Sequence, residues 1–153
     1  IFTSLNAQIN AANIGYHTMN NYRDMDCAII NETELRHELR DRDTSVELLM
    51  KQLAKSLQSK SLVVTQGNVG ATLYVSENEE YHHCPAFAAK VVDKIGAGDA
   101  MLALISCSLR SGFEPDLSLF IGSLAAAQSV ETIGNSTPVN KLQLLKTFSH
   151  AIK

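Results

Sequence analysis

With 153 residues, 45% of them hydrophobic, the chain suits a single domain over residues 1–153 and has the apolar content for a substantial core. A formal net charge of −3 without a basic block argues against a nucleic-acid partner. No apolar run reaches the roughly 18 residues of a membrane span, and without a charged-then-apolar leader pattern the expected compartment is the cytoplasm.

The chain opens on Ile1 to Asn6, a half-apolar strand; starting inside a strand with no initiator methionine suggests a piece of a larger protein. Gln8 to His17 is rich in side-chain amides, which serve loops and caps, and Tyr22-Arg23-Asp24 reads as a turn. Asp26 to Ile30 has the length and apolar continuity of a strand covered on both faces. Asn31 is then a good N-cap with Glu34 three residues on, so a capping box is expected. A carboxylate at a strand terminus also suits a hydrated magnesium ion. Thr44-Ser45 starts an amphipathic helix through Val46, Leu48, Leu49, Leu53 and Leu57, with Lys51, Lys55 and Lys60 toward its C-terminal part as a solvated face.

Ser61 to Thr65 is the next buried strand, ending in Thr65-Gln66-Gly67-Asn68-Val69-Gly70. The glycines permit close approach to a ligand, and a hairpin into Ala71 to Val75 accounts for them equally. That hairpin continues through Glu77 to Glu80 into Tyr81-His82-His83-Cys84-Pro85. Adjacent residues on an extended strand face opposite ways, so His82, His83 and Cys84 are not expected to share a zinc ion. Cys27, Cys84 and Cys107 are unevenly spaced and read as reduced, buried thiols.

Val91-Val92 reads as a strand end closed by Asp93, handing over to Gly96-Ala97-Gly98-Asp99 and the apolar helix Met101 to Leu109. Small residues at a helix start leave the first-turn N–H groups open to an anion, and phosphate is the natural guest. Asp99 sits in that first turn, where the dipole favours the ionised carboxylate. Beside a phosphoryl group it has the character of a general base; a helix start with a dipole-complementing acid is the plainer alternative. The helix stops near Gly112, and Pro115-Asp116 starts another through Leu117, Leu119, Phe120, Ile121, Leu124 and Ala125-Ala126-Ala127. Thr132-Ile133-Gly134-Asn135 forms a turn before a terminal amphipathic helix, Val139 to Ile152.

Asp93 to Asp99 resembles the Asp-Thr-x-Gly-Ala-Gly-Asp signature of the ribokinase-like (PfkB) carbohydrate kinases, with Lys94 and Ile95 departing from the usual pair. Asn31-x-x-Glu34 and Thr65-x-Gly67-x-x-Gly70 match two further motifs in family order, and Asn6-x-Gln8-x-Asn10-Ala11-Ala12-Asn13 is similar to a stretch of the sugar-phosphate (heptose-phosphate kinase) branch. Alternating strands and helices with ligand-type residues at strand ends describe an open α/β sheet. The resemblance implies a three-layer α/β/α fold, mainly parallel with a β-hairpin, forming the C-terminal, nucleotide-binding half of such a kinase.

It further implies transfer of the ATP γ-phosphoryl group to a sugar or sugar-phosphate hydroxyl. Asp99 would be the base and Gly96, Ala97 and Gly98 the anion hole. Asn31 and Glu34 would support Mg2+ through water, Thr65, Gly67 and Gly70 would lie by the phosphates, and Ser123 and Ala127 would face the adenine. In some relatives the Asp93 loop helps hold a monovalent cation. The acceptor contacts and lid belong to an N-terminal half that this chain lacks, so the isolated chain is expected to be inactive and prone to self-association as a homodimer; a fused nucleotidyltransferase domain accompanies the closest branch. Two alternatives stand beside this reading: a non-catalytic nucleotide-binding scaffold, and a nucleoside or vitamin-precursor kinase of the same fold.

Overall fold

The computed structural model describes residues 1–6, 18–88, 90–133 and 136–151. Its strands are β1 (Ser4–Asn6), β2 (Cys27–Asn31), β3 (Ser61–Thr65), β4 (Ala71–Val75) and β5 (Glu80–Cys84). The helices are α1 (Glu32–Leu39), α2 (Val46–Leu57), α3 (Ala97–Arg110), α4 (Pro115–Val130) and α5 (Lys141–Ala151). The strands form one sheet in chain order, with β1, β2 and β3 parallel and β4 and β5 added antiparallel as a hairpin. The expected α/β architecture, mainly parallel with a hairpin, is the one observed.

Period-2 alternation splits the sheet between two cores. Ala28, Ile30, Leu62, Val64 and Tyr74 pack with Leu35, Leu49, Leu53 and Leu57 of α1 and α2. Cys27, Ile29, Val63 and Leu73 pack on the other side with Met101 and Ile105 of α3 and Leu119 of α4. Coverage on both faces is why β2 and β3 read as unbroken apolar runs.

The capping box forms as expected: Asn31 Oδ1 accepts the Glu34 N–H at 2.8 Å, and Glu34 Oε2 accepts the Asn31 N–H at 3.2 Å. Ser45 caps α2. On that helix Met50 and Ala54 join the buried stripe, whereas Leu48 is 61% exposed, because the stripe centred on 49, 53 and 57 turns position 48 outward. α3 and α4 meet closely because Gly122 has no side chain; a Cβ there would lie 2.4 Å from Ile105 Cγ1. Within α5 no described residue is buried.

Two expectations need correction. Val91 and Val92 are exposed and outside the sheet. Their β-propensity is overridden because the backbone partner at hand is a helix end: the N–H groups of Val92 and Asp93 both donate to the Val130 carbonyl, at 2.8 and 3.2 Å. Cys107 is exposed on α3, on the far side from Ile105, while Cys27 and Cys84 are buried as expected. Gln8 to His17, Gly134, Asn135 and Ile152 lie outside the described residues.

Candidate functional site

The three parallel strands end at one edge of the sheet, and the polar residues of interest follow their last positions. Asn31 and Thr65 are direct partners in the β2–β3 ladder, so the start of α1 and the loop after β3 lie side by side. Asn6 ends β1. Its Nδ2 donates to Asp99 Oδ1 at 2.9 Å, bringing the first turn of α3 to the same edge.

In the 65–70 loop the Gln66 N–H donates to the Gly70 carbonyl at 2.8 Å. The two glycines differ in what they do. Gly70 has φ +120, and a Cβ there would lie 2.1 Å from the Cys84 carbonyl oxygen, so its lack of a side chain is demanded by β5. Gly67 has φ +60 with nothing within 4 Å of where a Cβ would stand, which leaves its surface open to a ligand.

Gly96 takes the left-handed conformation (φ +81) as N-cap of α3, a role for which glycine is suited. Among the described residues no side-chain hydrogen bond caps this end. Before it, Asp93 Oδ1 accepts the Ile95 N–H at 3.0 Å and tightens the turn. Asp99 is exposed. A cleft of about 180 Å³ opens beside it, bounded by Gly96, Asp99 and Ala100, by Ser129 at the end of α4, and by Thr137, Pro138 and Val139. A wider depression of about 1000 Å³ lies at the opposite end of the parallel strands, near Phe2, Asp26 and Lys60, away from these residues.

Asp99, Gly96, Ala97 and Gly98 are thus gathered at one helix start, and Asn31, Glu34, Thr65, Gly67 and Gly70 at two adjoining strand ends. Ser123 is separate: it is 6% exposed, and its enclosed hydroxyl makes no hydrogen bond among the described residues, while burial weakens the acidity of the Cys84 thiol near it. Ala127 is half-buried on α4. Sequence reasoning assigned no individual role to Asn6 or Gln66; each is a side-chain amide at the C-terminal end of a parallel strand, Asn6 as the last residue of β1 and Gln66 just after β3.

Among the described residues no group of three histidine, cysteine or acidic side chains could hold a metal ion by itself. The donors do fit a hydrated magnesium ion held at second hand. Glu34 is a carboxylate at the strand-end edge beside Thr65 and Gly67, and magnesium keeps several waters of its own through which a carboxylate can act. A monovalent cation at the Asp93 loop fits poorly, since Asp93 Oδ1 already serves Ile95 and Lys94 adds positive charge to the same turn. No helix is long and apolar enough to cross a membrane among the described residues.

A family model described as pfkB family carbohydrate kinase matches residues 13–142. The bifunctional protein HldE of Koribacter versatilis is 34% identical over 98 residues, covering 64% of this chain and 20% of the relative. HldE of Haemophilus influenzae is 29% identical over 118 residues, covering 76% and 25%. The chain therefore spans about a quarter or less of these relatives. Among solved structures, ribokinase from Thermotoga maritima aligns with a TM-score of 0.76 at 22% identity, over 97% of this chain and 49% of that one. Phosphofructokinase-2 from Escherichia coli, in complex with potassium, aligns at 0.73 and 17% identity, over 88% and 43%. Both share its fold.

Proposed function

The chain belongs to the pfkB family of carbohydrate kinases, and from that premise we propose that the complete protein transfers the γ-phosphoryl group of ATP to a hydroxyl of a sugar or sugar phosphate. In the step assigned here, the acceptor oxygen bonds to the γ-phosphorus, the bond to the β-phosphate bridging oxygen breaks, and Asp99 takes the hydroxyl proton. The N–H groups of the Gly96–Gly98 turn stabilise charge on the equatorial oxygens. Asn6 orients the Asp99 carboxylate by donating to one oxygen, leaving the other for the proton.

The observation that carries this reading is the meeting of Asp99 with an uncapped helix N-terminus at the edge where β1, β2 and β3 end. Asn31 and Glu34 would hold hydrated magnesium, which when bound neutralises phosphate charge. Thr65 and Gly67 flank the phosphates, and Gly70 shapes their loop. For the adenine, half-buried Ala127 is the better candidate than enclosed Ser123. Acceptor recognition and the lid that excludes water are assigned to parts of the protein outside this chain, so the chain alone is inactive. The relatives are named bifunctional, which supports a second domain in the complete protein; the likeness of residues 6–13 to the heptose-phosphate branch supports a nucleotidyltransferase as that domain and a sugar phosphate as the acceptor.

The test is phosphoryl transfer by the complete protein across a panel of sugars, sugar phosphates and nucleosides. Turnover on a sugar or sugar phosphate is expected. Turnover restricted to nucleosides would move the protein to the nucleoside-kinase alternative, and nucleotide binding without turnover on any acceptor would favour the scaffold.

A further inference from the structure

Gln66 stands between Thr65 and Gly67, and both ends of its side-chain amide are engaged. Nε2 donates to Glu32 Oε2 at 3.1 Å, and Oε1 accepts from Thr72 Oγ1 at 3.3 Å. The partners set the amide's orientation, because a carboxylate only accepts. Thr72 has a single hydroxyl proton, which goes to Gln66. His83 Nδ1 lies 3.0 Å from the same Thr72 oxygen. On the other side Glu32 Oε1 receives two hydrogen bonds from Arg36, at 2.8 and 3.0 Å, and Arg36 also donates to the Arg42 and Thr44 carbonyls. A continuous chain of side chains thus runs from the α1–α2 connection, through Glu32 and Gln66, to β5.

We propose that Gln66 is a positioning residue of the nucleotide site: its amide fastens the 65–70 loop to Glu32 on α1, fixing Gly67 relative to Asn31 and Glu34. The inference rests on the kinase reading above and deepens it. The β2–β3 ladder already pairs Thr65 with Asn31, and the Gln66–Gly70 backbone bond and the β3–β4 ladder tie the loop to its own hairpin; Gln66 adds a side-chain link from the loop to Glu32 in the first turn of α1. Glu32 lies one residue from Asn31, so a displacement of either segment is passed to the other.

The experiment uses the complete protein, titrated calorimetrically with magnesium and a non-hydrolysable ATP analogue, with steady-state kinetics in parallel. Gln66→Glu sets two carboxylates against each other; analogue binding is expected to weaken about tenfold, and KM for ATP to rise equally, while kcat stays within about twofold. Adding Glu32→Gln restores one donor and one acceptor with the polarity reversed, and is expected to recover most of the affinity. Gln66→Leu removes the amide without adding charge and serves if Gln66→Glu does not fold; its expected loss is about fivefold. A folded Gln66→Glu variant that binds as the parent does, or a double variant as weak as the single one, overturns the inference alone. A parent protein that binds no nucleotide overturns the kinase reading and this inference with it.

Discussion

The Asn6 side-chain amide donates to the Asp99 carboxylate at 2.9 Å, joining the end of the first strand to the first turn of α3 across 93 positions. A carboxylate at a helix N-terminus is free to rotate unless something holds it, and Asn6 supplies the hold. Asn6→Leu in the complete enzyme removes the donor and is expected to lower kcat about tenfold, with little change in analogue binding measured by calorimetry.

Asp99→Asn keeps the shape and removes the basicity. Turnover in the complete enzyme is expected to fall by about 10²–10⁴-fold while nucleotide affinity changes little, read by initial rates and analogue titration. Turnover close to that of the parent would take Asp99 out of the role of base.

The two loop glycines should separate in urea unfolding. Gly70→Ala drives a methyl into the Cys84 carbonyl and Pro85 backbone and is expected to cost about 3 kcal/mol or more. Gly67→Ala meets open space and carries only the strain of its φ of +60, about 1 kcal/mol.

Asp26 fastens the start of β1, accepting from the Lys60 ammonium and the Thr3 N–H, each at 2.7 Å. The Lys60 hydrogen bond, then that from Thr3, holds its carboxyl below the usual range. Its contribution is therefore fully present above the unfolded value of about 4 and is lost as pH falls through the lower folded value. The urea midpoint should drop more between about pH 5 and about pH 3 in the parent than in Asp26→Asn.

Burial pushes the Cys27 thiol up to about 12, whereas Cys107 is exposed. A thiol reagent under native conditions should label Cys107 first, and Cys107→Ser should remove that fast phase. Cys27 should react only on unfolding.

Local chemistry was the most legible part of the chain. Asn31 and Glu34 disclose their reciprocal cap by spacing alone, and the apolar runs of β2 and β3 disclose a sheet covered on both faces. Contacts made over long separations were not legible: nothing near Asn6 or Asp99 indicates that they touch. Val91 and Val92 carry strand propensity but meet the carbonyl end of α4 instead of a strand. Ser123 occupies a helix position that a motif can suggest for a ligand and that packing encloses against β5.

The Val130 carbonyl takes both the Val92 and the Asp93 N–H groups. The glycine turn that follows is therefore fastened from both sides, by the carbonyl end of α4 before it and by the Asn6–Asp99 hydrogen bond just after it, so an incoming anion meets an entrance whose two gateposts come from opposite ends of the chain's fold.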